Sequence, residues 1–361
     1  MSIKLELKAS FLKLISNHKI RPIHVNMSPK FLILMNQNIG DMIVFSPILR
    51  ELKLAFPNCN LQVMASQTNK EIAQANPYID KVIVYKNQWH RLLPLLLELR
   101  NNKFDFAVEL EAKIITKVIL MLRVIQPNCI LSVSKREGRY GIEPQGVHPY
   151  DYYTNVKLNH QRDTCIDILR LLKVNCVNKK YDFFYLEKNR QKSLLFLSTF
   201  ESKKIIIGLN ITGSSLEQRI SVIDVERILL GLYSISSNII IILLHKPEDK
   251  KWANELISND KSSYVFLSYP TESILDVAAI VDSVDLVITP DTSIVHMACA
   301  FNKPLIAIYK KDMEGFEAWK PKSKCNRVIF SENFESLNEI DIDTVVNKSA
   351  ELIKMYIKKE F

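Results

Sequence analysis

At 361 residues the chain is too long for one ordinary core and suits two domains. A composition of 47% apolar and 24% charged residues excludes a disordered or fibrous chain. The formal charge of +9 points to an anionic partner: nucleic acid, a phosphorylated metabolite or a negatively charged membrane surface.

The six cysteines (Cys59, Cys129, Cys165, Cys176, Cys299, Cys325) form no CxxC or Cys/His spacing, so reduced thiols in a cytoplasmic protein are expected, with no zinc site. No apolar run approaches the roughly 20 residues of a bilayer span. The start, MSIKLELKASFLKLISNHK, lacks the apolar stretch and cleavage site of a secretory signal.

Residues 1–29 stand apart as an N-terminal extension. Leu7, Phe11, Leu14 and Ile15 fall at helical spacing, with Lys4, Lys8, Lys13 and Lys19 mostly opposite. Such a helix either packs on the first domain or lies on an anionic membrane surface. From Phe31 strand and helix alternate. FLILM, LQVMA, KVIVY, FDFAVEL and CILSV read as strands; PILRELKLAF, QTNKEIAQAN, RLLPLLLELRNN and KIITKVILMLRVI read as helices. The stretch from Ser134 to Gln161, rich in turn residues and tyrosine, is expected to cover a site. RDTCIDILRLLKV resumes as a helix.

A polar helical stretch around 186–203 separates a second alternation. Its strands are KIIIGLN, NIIIILL, YVFLS, DLVIT and PLIAIY; DVERILLGLYSIS, WANELIS, ILDVAAIVDSV and HMACAFN are helices. DTVVNKSAELIKMYIKK closes the chain as a long helix, either in the second domain or returning onto the first. The expected fold class is α/β: two doubly wound, Rossmann-like domains at 30–186 and 187–361, facing across a cleft in which ligands bind beyond the strand ends.

Three strand-end loops hold residues suited to chemistry. In NQNIGDM, Asp41 follows a Gly and is either a helix cap or a catalytic carboxylate. A competing helix start at Ser46–Pro47 would leave it in the loop. In NITGSSLEQR, Thr212, Gly213 and Ser214 offer backbone and hydroxyl donors to a phosphate, and Arg219 offers a charge. In ITPDTSIVHMACAFNKP, Asp291 turns the chain, Thr292 or Ser293 caps a helix whose positive end suits a pyrophosphate, and His296 lies one turn in. On residue type alone Asp291 is a cap and His296 a buried core residue. Lys135, Arg136 and Arg139 in SKREGRYG suit an anionic acceptor or form a solvated loop. No DxD, HExxH or Ser/His/Asp signature is present, so no metal is expected.

Two segments carry a resemblance. FLILMNQNIGDMIVFSPILRELKLAFPNCNLQVM, continuing to NPYIDKVIVY, is similar to the opening of glycosyltransferase family 9, the bacterial heptosyltransferases of lipopolysaccharide core assembly. DLVITPDTSIVHMACAFNKPLIAIY resembles the family's second motif, and weaker likeness in FDFAVELEAK and GLNITGSSLEQR brings the span to about residues 31–310. The resemblance implies a GT-B fold and inverting, metal-independent transfer of heptose from ADP-heptose to the lipid-linked core oligosaccharide. It implies Asp41 as general base and Asp291, Thr292, Ser293 and His296 with the phosphate loop on the donor; Asn38 is expected with the basic cluster on the acceptor. The chain departs from the family at Gln218 and Ile220, where Lys and Trp are usual, and at Thr292-Ser293, where Ser-Gly is.

An enzyme at the cytoplasmic face of the inner membrane is therefore expected, peripheral on anionic lipid. The alternatives are a transferase of the same fold for another nucleotide sugar, an epimerase, or a binder without turnover. Basic and aromatic residues do not interleave as in an RNA-binding surface, so nucleic acid is not expected.

Overall fold

The computed structural model describes residues 10–14, 19–135, 149–154, 160–201, 204–213, 215–259 and 263–357. The chain divides into two compact units, Met1–Lys179 and Lys180–Phe361. The boundary falls before the predicted 186/187 because the connecting aromatics pack into the second unit. Tyr181 lies edge-on to His296, Phe183 lies against Phe301, and Tyr185 donates to Asp282 at 2.7 Å.

The first unit is built on a six-stranded parallel sheet in the order β3-β2-β1-β4-β5-β6. The strands are β1 (Lys30–Met35), β2 (Asn60–Ala65), β3 (Lys81–Val84), β4 (Phe106–Glu109), β5 (Cys129–Ser132) and β6 (Tyr152–Tyr153). Their near-continuous apolar runs match a sheet covered on both faces. One cover is made by helices Trp89–Arg100 and Thr116–Ile125, whose Leu92, Leu96, Leu99, Val118, Met121, Leu122 and Ile125 share a core with Leu32, Leu34 and Ile130. Strand β6 lies inside the stretch read from sequence as a site cover. Two tyrosines are too short a run to show a strand period.

Helix Ile39–Ala55 starts eight residues before Pro47 and runs through it, so the start predicted at Ser46–Pro47 is not used. Proline has no N–H to give the carbonyl four residues back. Ser46 supplies the missing donor, its Oγ bonding Ile43 O at 2.6 Å. Of the N-terminal extension, Leu7, Ile15, Lys4 and Lys8 lie outside the described residues. In the helical turn at 10–14, Leu12 is buried, whereas Phe11 and Leu14 are exposed.

The second unit repeats the same topology with β12-β11-β10-β7-β8-β9, all parallel. Its strands are β7 (Ile205–Asn210), β8 (Ile239–Leu244), β9 (Val265–Leu267), β10 (Leu286–Pro290), β11 (Leu305–Tyr309) and β12 (Asn326–Phe330). β12 and helix Met313–Trp319 escaped the sequence reading, because β12 at the sheet edge is only partly buried and shows no apolar run. The C-terminal helix Ile342–Leu352 belongs to this unit: Ile342, Val345 and Leu352 enter its core. Val346 sits so close to Gly231 that a Cβ there would meet it at 2.4 Å.

Each sheet reverses its winding once, between β1 and β4 in the first unit and between β7 and β10 in the second. In doubly wound sheets ligands bind at the carboxyl ends of the strands at that reversal.

Candidate active site

The reversal of the first unit carries Asp41. Asp41 is the third residue of helix Ile39–Ala55, and its Oδ2 accepts the backbone N–H of Asn38 at 3.0 Å, so it does cap the helix. It is also half-buried, and burial pushes its carboxyl up to about 6; Glu111 adds to the rise and the Asn38 N–H opposes it. Capping and acid–base chemistry are therefore compatible in one side chain.

The loop that presents Asp41 is fastened from the end of β2 by a residue that the sequence reading missed. Asn69 is fully buried and its Nδ2 donates to Met35 O at 2.8 Å and to Gln37 O at 3.3 Å. Its Oδ1 accepts Ser66 N at 2.8 Å, and Ser66 Oγ donates to Gln37 O at 2.9 Å. The signal was an Asn in a turn-rich loop after a strand, which fits any surface turn equally well.

Next to β1, strand β4 ends on a second carboxylate. Leu34 pairs with Glu109, which is buried and accepts Ser132 Oγ at 2.8 Å and Glu111 N at 2.8 Å. Lys135, expected on an anionic acceptor, is instead paired with Glu109; their side chains are 1% and 2% exposed. Its ammonium lies 4.5 Å from the ring centre of Tyr150 and also bonds Glu111 O. A buried cation must be paired to be tolerated, so Lys135 ties the ends of β4 and β5 together and is not an open anion site. Burial, and then Glu109, hold the Tyr150 hydroxyl well above its ordinary pKa. Arg136 and Arg139 lie outside the described residues. Asn38 is exposed beside Asp41.

The reversal of the second unit is lined mainly by neutral polar groups, with one carboxylate, Asp291, and one cation, Lys310, beside them. Asn210, at the end of β7, donates to Thr289 Oγ1 at 2.9 Å and to Thr292 Oγ1 at 3.3 Å, and its Oδ1 accepts Thr212 N at 3.3 Å. Thr292 is the cap of helix Ser293–Ala300, accepting Ile294 N at 3.3 Å, so neither Asp291 nor Ser293 has that task. Thr212 is buried, whereas Thr292 and Ser293 are half-buried at the positive end of the helix. Gly213 is required by close approach, since a Cβ would meet Gln218 O at 2.2 Å. Ser214 lies outside the described residues.

Asp291 is half-buried, and burial raises its carboxyl to about 6, while Lys310 lowers it and Asp312 raises it. Lys310, just beyond β11, also acts on Glu217 in the loop after β7. It is the cation at this reversal that the sequence reading missed; a lone Lys after a strand gave no signal.

Two residues expected on the donor already have partners within the second unit. Arg219 pairs with Asp249 and stacks 4.9 Å over Trp252, so its charge is already balanced. His296 is buried between Tyr181 and Trp319, at ring-centre distances of 6.1 and 6.0 Å, and packs in the unit's interior. Ile220, where the family pattern has Trp, is fully buried in the core. No described helix is long and apolar enough to cross a membrane.

Two Rossmann-like units with this strand order make up the GT-B class, and the relatives agree. The sequence profile of glycosyltransferase family 9 (heptosyltransferase) matches residues 232–343. Over 319 residues the chain is 23% identical to a protein of Escherichia coli strain K12 that bears the provisional name lipopolysaccharide heptosyltransferase 4, covering 86% of this chain and 84% of that one. It is similar in fold to the glycosyl transferase family 9 structure from Veillonella parvula DSM 2008, with a TM-score of 0.74 at 17% identity over 92% of this chain and 99% of that one. It is also similar to the ADP-heptose lps heptosyltransferase II of Escherichia coli, with a TM-score of 0.70 at 16% identity over 92% and 100%. The chain is a glycosyltransferase. Its likeness is to glycosyltransferase family 9, the heptosyltransferase family.

Proposed function

We propose that the protein transfers heptose from ADP-heptose to a hydroxyl of the lipopolysaccharide inner core, with inversion, and that Asp41 is the general base. The observation that carries this reading is a half-buried carboxylate at the β1/β4 reversal whose pKa is pushed up to about 6. Such a group is ionised at neutral pH yet more basic than an ordinary carboxylate, as a base poised near its working pH must be.

Inversion is a single displacement. The acceptor oxygen attacks the anomeric carbon, the bond from that carbon to the diphosphate oxygen breaks, and the hydroxyl proton passes to Asp41. ADP leaves with the electron pair and gains charge. Thr212, the N–H groups at the start of helix Ser293–Ala300, and Lys310 are the groups in the second unit suited to that charge. The reaction is written without a metal, with these groups in its place. Arg219 is left out of this role because Asp249 already balances it.

The names of the relatives support a lipopolysaccharide acceptor and an ADP-linked donor. An acceptor on a lipid and a chain of charge +9 favour work at an anionic membrane surface on the cytoplasmic side. A second reading, the same transfer from another nucleotide sugar, is favoured by Gln218 and Ile220.

The test is a thermal-shift series followed by product mass. ADP should stabilise the protein well above UDP, GDP and CDP, and ADP-heptose with a truncated core acceptor should yield an acceptor heavier by one heptose. Stabilisation by UDP alone would replace the donor, and loss of sugar configuration without an acceptor would make the protein an epimerase.

A further inference from the structure

Helix Trp89–Arg100 carries more leucine than its core needs. Its sequence, WHRLLPLLLELR, holds six. Leu92, Leu96 and Leu99 are buried in the core of the first unit, and Leu95 packs partly against it. Trp89, Leu93 and Leu97 remain 46%, 44% and 49% exposed. Spaced four apart, they form one strip along the helix, whereas a helix that serves only a core shows polar residues there. Scattered surface leucines are ordinary; a tryptophan and two leucines in a row are not.

The surroundings of the strip are basic. Arg100 falls on its side of the helix, three residues after Leu97 and seven after Leu93. Lys86, next in the chain to Tyr85, is exposed. Lys117, from helix Thr116–Ile125, lies 5.4 Å from the ring centre of Trp89 and 5.1 Å from that of Tyr85. The one acid of the helix, Glu98, lies off the strip, 4.0 Å from Lys81.

We propose that this strip docks the protein on an anionic phospholipid bilayer, with Trp89, Leu93 and Leu97 at the boundary of headgroups and acyl chains. Arg100 and Lys117 meet the lipid phosphates. Leucine and tryptophan beside arginine and lysine are the chemistry of an interfacial helix. The same cations repel a second copy of the chain, which is why lipid is the occupant. The proposal deepens the reading of a lipid-linked acceptor and rests on it for its purpose; the adhesion itself is measured without substrate.

The test uses the full chain and vesicles free of acceptor. Wild type should sediment with phosphatidylglycerol–phosphatidylethanolamine vesicles and poorly with phosphatidylcholine. The pair Leu93→Ser/Leu97→Ser should weaken that binding about tenfold or more, with a melting temperature within about 3 °C of wild type because both positions are exposed. Arg100→Glu/Lys117→Glu should abolish the preference for anionic lipid. With Trp252→Phe and Trp319→Phe, the remaining emission from Trp89 should shift blue on vesicles and be quenched by brominated lipid.

Variants that sediment like wild type, or a Trp89 emission unmoved while the protein binds, would overturn the proposal. So would a concentration-dependent dimer lost in the leucine pair while vesicle binding persists. Transfer to a water-soluble delipidated core should be unchanged in the leucine pair. Absence of that transfer in wild type as well would count against the proposed reaction and leave the docking result standing.

Discussion

At the β1/β4 reversal the first unit gathers Asp41, Glu109 and Glu111, with one buried lysine to balance them. At the matching β7/β10 reversal the second unit gathers Asn210, Thr212, Thr289 and Thr292 around a helix start, with one carboxylate, Asp291, and Lys310 alongside. The strand order is the same in both. One topology thus presents the same place on the sheet twice, once lined mainly by carboxylates and once mainly by hydroxyl and amide groups at a helix start. The topology selects where chemistry happens, and the loop residues select which chemistry it is.

The sharpest break of that comparison is Asp41→Asn. It should lower kcat by about 10²- to 10⁴-fold and leave ADP affinity unchanged, read by transfer rate and calorimetry. Turnover near wild type would remove Asp41 as base. In the wild type, kcat/KM should rise with pH to a plateau with a midpoint near 6, because the base must be ionised.

The same raised pKa makes a stability statement. The fold disfavours the ionised form, so Asp41 costs nothing below its unfolded value near 4 and most above 6. Asp41→Asn should therefore be more stable than wild type at pH 8 by about 1 kcal/mol after solvent screening, and the gap should close as the pH falls to about 4, read by denaturant unfolding.

On the other side of the comparison, Lys310→Ala should weaken ADP binding by about tenfold, as loss of one charge-assisted contact does. Arg219→Ala should change it by less than about threefold, because Asp249 and Trp252 already engage the guanidinium. The reverse order of effects would return the phosphate to Arg219. Gly213→Ala should destabilise the second unit by about 1 to 3 kcal/mol, since the methyl group collides with the Gln218 backbone.

The smallest effect on chemistry is expected at Asn69. Asn69→Ala removes the donor that holds Met35 and Gln37 carbonyls, so the loop bearing Asp41 should loosen. A loss of about 1 to 3 kcal/mol in stability is expected, with kcat lowered more than KM is raised. Equal effects on both would make Asn69 a purely structural residue.

Strand–helix alternation, two halves and the two motif loops were legible because apolar runs and turn residues are local signals. The strand reading failed at β6 and β12, the one too short and the other too exposed at the sheet edge for a period to show. The helix start was misjudged at Pro47 because Ser46 repairs the bond that the proline removes, which no local rule reports.

By itself the sequence determined the fold class, the family resemblance and the two loops at the strand ends of the reversals, since each depends on residues adjacent along the chain. Only tertiary structure decided which charges are available there. Lys135 and Arg219 read as cations, yet each meets a carboxylate distant in sequence, Glu109 and Asp249. Lys310 and Asn69 read as nothing, yet each is brought to a strand end where it acts on the loop of another strand. A side chain carries its charge in the sequence, but whether that charge is cancelled or desolvated depends on neighbours that only folding supplies.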